Sequence, residues 1–101
     1  MGGSKERGKV DRVARRYFVR GNVQGVGYRA FAVMAGKSAG VDGWTRNLDD
    51  GRVEVYAVGD PERLSDLEGQ LRMGPRWADV RGVEASEDVV DAKIRGFQIR
   101  Y

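Results

Sequence analysis

Apolar and polar positions along this chain of 101 residues change period several times, and each change predicts an element. Tyr17, Phe18 and Val19 form the middle of a short strand read over Arg16 to Arg20. From Tyr28 the period lengthens. Tyr28, Phe31, Ala32, Ala35 and Ala39 recur at helical spacing, predicting a helix over Ala30 to Ala39 that stops at Gly40. Gly36 lies inside that helix, where it costs about 1 kcal/mol relative to alanine. Val41 to Leu48 reads as a second strand, and Arg52 to Val58 alternates with Val53, Val55 and Ala57 on one face. Asp49-Asp50-Gly51 between them predicts a hairpin turn. Asp60-Pro61 has the form of a helix start, Asp as N-cap and Pro in the first turn. Leu64, Leu67 and Leu71 supply that helix's apolar stripe, and Gly74-Pro75 its stop. A strand is read from Ala78, with a phase slip at Gly82-Val83 that suggests a bulge. The acidic stretch Glu84 to Asp91 reads as a connection, and Phe97, Ile99 and Tyr101 alternate in a last strand.

The order β-α-β-β-α-β with a terminal strand predicts an α+β protein of the ferredoxin-like βαββαβ kind. It is a two-layer sandwich, an antiparallel sheet with two helices on one face. Residues 15–101 form its single domain, and residues 1–14, polar and without sustained apolar period, are expected to be a disordered basic tail. That tail decides how the charge is to be read. The whole chain carries a formal +3. Lys5, Arg7, Lys9, Arg12, Arg15 and Arg16 against Glu6 and Asp11 give the first sixteen residues +4, leaving −1 for the rest. A nearly neutral folded domain lacks the electrostatic footprint of a non-specific nucleic-acid binder, so no specific nucleic-acid partner is expected. No apolar run reaches the roughly 20 residues of a membrane span, and a cytoplasmic monomer without a membrane partner is expected.

Candidate chemistry concentrates in Gly21-Asn22-Val23-Gln24-Gly25-Val26-Gly27-Tyr28-Arg29, between the first strand and the first helix. Glycines there allow positive φ, and a loop that meets a helix start can aim several N–H groups at one anion. Arg29 closes the run with forked donors that match phosphate oxygens. The same residues also suit a plain strand-to-helix turn with Arg29 on a solvated face. Absences narrow the chemistry further. With neither Cys nor His, a thiolate phosphatase, a Ser-His triad, a phosphohistidine and a histidine-bound metal are excluded. Asp49, Asp50 and Asp60 occupy turn and cap positions that need no metal.

Gly21 to Arg29 matches the Gly-x-Val-Gln-Gly-Val-x-(Phe/Tyr)-Arg loop of the acylphosphatase family at every specified position. A second element of that family appears as Gly43-Trp44-Thr45-Arg46-Asn47, followed by Asp50-Gly51-Arg52-Val53-Glu54, and Gly74-Pro75 is also similar. Residues 15–101 thus resemble an acylphosphatase, with Thr45 in place of the usual Val. The resemblance implies hydrolysis of carboxyl–phosphate anhydrides to a carboxylate and inorganic phosphate, with no metal and no cofactor. It implies that Arg29 and the backbone of Asn22, Val23, Gln24, Gly25, Val26, Gly27 and Tyr28 hold the phosphoryl group, and that Asn47 positions the attacking water. Trp44 is expected in the core or as a wall of the site, Arg46 on the opposite strand face as a surface charge, and Gln24 as a brace across the loop. The alternative is an RNA-binding or regulatory ferredoxin-like module without strong catalysis. The strand Arg52 to Val58, with one aromatic and one acidic residue, is a poor RNA platform.

Overall fold

The computed structural model describes residues 12–101. Its elements are β1 (Val13–Asn22), α1 (Tyr28–Ala39), β2 (Asp42–Asn47), β3 (Val53–Gly59), α2 (Pro61–Met73), β4 (Asp79–Asp88) and β5 (Phe97–Ile99). They form one sheet in the order β4-β1-β3-β2-β5. β1 runs antiparallel to both β3 and β4, and β2 antiparallel to β3. Strand alternation sends Tyr17, Val19, Val53, Val55 and Ala57 to one face, where they pack with Ala32 and Ala35 of α1 and Leu64, Leu67 and Leu71 of α2. The expected sandwich is therefore present: two helices cover one face of the sheet.

The sheet is mixed, because β5 pairs parallel with β2. Topology explains the departure from an all-antiparallel sheet. β4 ends beside the start of β1, at the end of the sheet where β2 also starts. The chain from Val89 to Gly96 crosses the face opposite the helices. There Tyr56 donates its hydroxyl hydrogen to the Val89 carbonyl (2.6 Å) and accepts from the Asp91 N–H (2.8 Å). Ile94 packs on that face with Ala14, Trp44, Tyr56 and Val58. β5 thus starts where β2 starts and can only run alongside it.

Several boundaries differ from the sequence expectation; β5, for one, ends at Ile99 and leaves Tyr101 outside the strand. Val13 and Ala14 belong to β1 rather than to a tail, since Ala14 is buried in that second cluster and Val13 pairs with Gly59; residues 1–11 lie outside the described residues. β4 continues through Glu84 to Asp88, where a connection was expected. Its backbone is paired along β1, while the outer strand exposes its acidic side chains, so no apolar alternation is needed there. The phase slip is real: Arg20 faces Gly82 and Gly21 faces Val80, leaving Arg81 without an opposite residue.

Asp88 anchors the end of β4 to Arg16 at 2.6 Å. Its carboxyl is held below the ordinary value of 3.8, first by the Val89 N–H and then by the Arg16 guanidinium. A folded-state value that is depressed gives stability that is complete above the ordinary value and is lost as pH falls through the lower one. Asp88→Asn is therefore expected to lower the melting temperature at pH 6, with the gap to wild type closing as pH falls below the ordinary carboxyl value. Thermal melts of both proteins across that range check this.

Candidate active site

β1 and α1 are joined by five residues, and the two apolar ones fasten the joint. Val23 is buried in the core and Val26 packs against it. Between these pegs the backbone turns outward at Gly25 (φ +77°) and Gly27 (φ +81°), both in the left-handed region. A Cβ at either glycine would meet nothing within 4 Å. The demand for glycine here is one of backbone conformation, not of space.

Gly27 is also the N-cap of α1, and it brings no side-chain cap. The helical ladder begins when the Phe31 N–H donates to the Gly27 carbonyl at 3.0 Å. The N–H groups of Tyr28, Arg29 and Ala30 precede that ladder, and no acidic residue stands in the first turn to neutralise them. The start of α1 is therefore a concentration of donors and positive potential. Arg29 adds a full charge to it, half-buried and without a carboxylate partner among the described residues.

β2 supplies the facing wall. Alternation along β2 places Gly43, Thr45 and Asn47 toward the helices and Trp44 and Arg46 on the other face. Asn47 is its last residue and lines, with Val23, Gly25, Gly27, Tyr28, Arg29, Ala30 and Ile99, a cleft of about 170 Å³. The Asn47 Oδ1 atom is buried and accepts no hydrogen bond within the protein. Such an acceptor is costly unless something polar meets it, and it belongs to a residue that lines the cleft.

The structure thus brings Arg29, Asn47, Val23, Gly25, Gly27 and Tyr28 to one cleft. Asn22, Gln24 and Val26 do not line it. Asn22 closes β1 opposite Asp79, and Val26 faces the core. Gln24 braces the loop as expected: its Nε2 donates to the carbonyls of Leu48 (2.7 Å) and Arg52 (2.9 Å), tying the loop to the β2–β3 hairpin one residue beyond Asn47. Gln24→Ala removes both bonds, while each carbonyl keeps a backbone donor (the Gly51 N–H to Leu48, the Leu48 N–H to Arg52), and is expected to cost about 0.5–1.5 kcal/mol of stability. It should also raise KM for the substrate, because Asn47 and the loop lose their common brace. Denaturant melts and initial rates on the variant check both.

The Tyr28 side chain turns away from the cleft chemistry. Its hydroxyl donates to the Leu71 carbonyl at 2.7 Å, and burial pushes its pKa well above the ordinary 10. Of the residues lining the cleft only Tyr28 and Arg29 carry ionisable side chains, and neither is a base near neutral pH. Thr45 is fully buried and its hydroxyl donates to the Glu54 carbonyl at 3.0 Å, so the departure from Val costs no unsatisfied group. Trp44 is a core residue of the opposite face, and Arg46 pairs there with the buried Glu54 at 2.7 Å. Asp60 caps α2 by accepting from the Arg63 N–H at 2.9 Å, and Asp50 accepts from the Arg52 N–H at 3.1 Å, the cap and turn roles expected of them.

Two contributors escaped sequence reading. Ile99 enters the cleft because β5 lies beside β2, and Ala30 because the helix starts at Tyr28, where its apolar stripe begins, and not at Ala30, so that Ala30 falls in its first turn. The alternation of Phe97 and Ile99 carried the strand but not its neighbour.

A profile of the acylphosphatase family matches residues 15–99. The chain is 59% identical over 87 residues to an acylphosphatase of Solibacter usitatus, covering 86% of this chain and 90% of that protein. Among solved structures, acylphosphatase from Bacillus subtilis superimposes with a TM-score of 0.83 at 32% identity, over 88% of this chain and 99% of that one. An acylphosphatase from Coxiella burnetii gives a TM-score of 0.84 at 31% identity, over 89% and 94%. A small cleft between a glycine-bent loop and a strand-end asparagine, in a chain this similar, leaves one conclusion: the protein belongs to the acylphosphatase family.

Proposed function

We propose that the cleft between the 23–27 loop and Asn47 performs acyl phosphate hydrolysis by direct attack of a positioned water, in a cytoplasmic monomer that uses no metal. The observation that carries this reading is the pairing of a donor-rich helix start with an unpartnered buried acceptor across one small cleft. The phosphoryl group takes the loop and helix N–H groups and the Arg29 guanidinium, which spread and stabilise the charge that builds on its oxygens. Asn47 Oδ1 accepts a hydrogen bond from water and holds its oxygen toward phosphorus. The water oxygen–phosphorus bond forms as the bond from phosphorus to the acyl oxygen breaks, and that electron pair leaves with the carboxylate. A carboxylate departs as an anion near neutral pH and asks for no general acid. The water's proton passes to a phosphate oxygen, consistent with a cleft that offers no protein base.

The test is hydrolysis of a simple acyl phosphate across pH, with and without a chelator. Turnover unaffected by the chelator, with a pH profile that follows only the substrate's ionisation, is expected. A rate lost to the chelator, or an acidic limb removed by replacing a single carboxylate, would overturn the mechanism.

An RNA-recognition reading finds no platform on the opposite face. Trp44 and Tyr56 are 7% and 4% exposed. They stack on each other at 5.7 Å, and Arg16, Arg46 and Arg100 lie within 4.6 to 5.6 Å of Trp44. Trp44 and Tyr56 thus offer bases no open surface there, and Phe18, partly buried on the same face, has Arg52 over its ring.

A further inference from the structure

We infer that Tyr28 is a positioning residue for the phosphoryl group. Its hydroxyl, bonded to the end of α2, fixes the direction in which the free N–H groups of α1 point into the cleft. The inference rests on the reading of the cleft as an acyl phosphate site.

The way α2 ends creates the need for this bond. Leu71 lies in the last turn, where carbonyls lose their helical partners. The residue four positions on is Pro75, which has no N–H to give. Gly74, in the left-handed region at φ +70°, donates its own N–H to the Gln70 carbonyl at 2.9 Å. The Leu71 carbonyl is passed over, yet Leu71 has no exposed surface, so its partner has to come from within the protein. Tyr28 is that partner, itself buried, with its hydroxyl donating at 2.7 Å. Its ring lies against the same turn, 3.6 Å from where a Cβ on Gly74 would stand.

The other end of Tyr28 is the site. It is the first residue of α1, and its N–H, with those of Arg29 and Ala30, precedes the ladder that begins at Phe31. Gln24 anchors the loop to the β2–β3 hairpin, but Gly25 and Gly27 stand between that anchor and the helix, and neither has a side chain to steer it. Of the three first-turn residues, Tyr28 is the one whose side chain hydrogen-bonds to another element. Donors stabilise a phosphoryl group only when they are aimed at it beforehand, so a helix start that drifts shows up as weaker binding.

Tyr17 supplies the comparison. It is equally buried, and its hydroxyl also donates to an α2 carbonyl, that of Leu64 at 3.2 Å, but it sits in the middle of β1 and does not line the cleft. The experiment sets wild type beside Tyr28→Phe and Tyr17→Phe, each variant lacking one oxygen. It measures acyl phosphate hydrolysis, competitive inhibition by inorganic phosphate, and thermal melting with and without phosphate. Tyr28→Phe is expected to raise KM and the phosphate inhibition constant by about three-fold or more. It should also lose part of the thermal protection that phosphate gives wild type. Tyr17→Phe should lower the melting temperature and leave the inhibition constant unchanged. A Tyr28→Phe protein that melts lower but binds phosphate as wild type does would make the hydroxyl a part of the fold alone and overturn its positioning role. An equal loss of affinity in both variants would overturn it too, by assigning the effect to α2 as a whole. A folded wild type that neither hydrolyses acyl phosphate nor gains thermal protection from phosphate would overturn the reading of the cleft, and the role of Tyr28 with it.

Discussion

Arg29→Ala is expected to lower kcat/KM for acyl phosphate hydrolysis by about 10² to 10³ while leaving the fold intact. The size follows from what the side chain adds to the cleft. The N–H groups at the start of α1 contribute partial charges, but Arg29 is the one full cation among the cleft-lining residues. It is also the group placed to meet charge spreading over phosphoryl oxygens as the acyl oxygen departs. The fold should be indifferent, because no ion pair holds Arg29 among the described residues and α1 is started by the Phe31 to Gly27 bond. Stability within about 0.5 kcal/mol of wild type is expected. Arg29→Lys should recover only part of the rate, since an ammonium supplies charge without the planar fork. Steady-state kinetics and thermal melts on the same preparations decide this. A rate for Arg29→Ala within about three-fold of wild type would remove Arg29 from the chemistry.

Gly43→Ala is expected to destabilise by about 3 kcal/mol, or a fall in melting temperature of roughly 12–24 °C. A Cβ on Gly43 would stand 2.1 Å from the Tyr56 carbonyl oxygen and 2.7 Å from the Phe97 ring. The first neighbour is backbone of β3, which can yield only by breaking the β2–β3 ladder that pairs Gly43 with Ala57. The second is the anchor of β5, which packs into the place of another missing Cβ, 2.3 Å from where one would stand on Gly36. Gly69 provides the control. It lies in α2, where an added Cβ meets nothing within 4 Å, so Gly69→Ala is expected to stabilise by roughly 0.5–1 kcal/mol. Two Gly→Ala changes of opposite sign, read by the same melts, separate close approach from helix propensity.

Gly36 shows where sequence reading stops. Its cost inside a helix was visible along the chain, but the reason for keeping it lies across the fold, in the Phe97 ring that packs against α1. The helix-facing stripes, the hairpin turn and the Asp60-Pro61 start were legible because each is set by neighbours in sequence. β4 was misjudged past Glu84 because an outer strand is held by its partner's backbone and its side chains need no pattern. The parallel placement of β5 was equally hidden, since it follows from the route of residues 89–96 over the open face. In the cleft, Arg29 and Asn47 stood out through their motifs, and alternation correctly sent Arg46 to the other side of β2. Along the stretch from Asn22 to Tyr28, whose backbone was expected to hold the phosphoryl group, the side chains frame the loop. Val23 and Val26 serve as apolar pegs and Gln24 as a brace, each necessary to a loop whose glycines do the turning.

The most direct test of the catalytic assignment is Asn47→Ala, measured for kcat and for competitive inhibition by phosphate in one series. If Asn47 orients water while the loop and Arg29 hold phosphate, kcat should fall by about 10² or more with the phosphate inhibition constant unchanged within about two-fold. Loss of phosphate affinity at unchanged kcat, or retention of both, would contradict a water held by Asn47 Oδ1 across the cleft from Arg29.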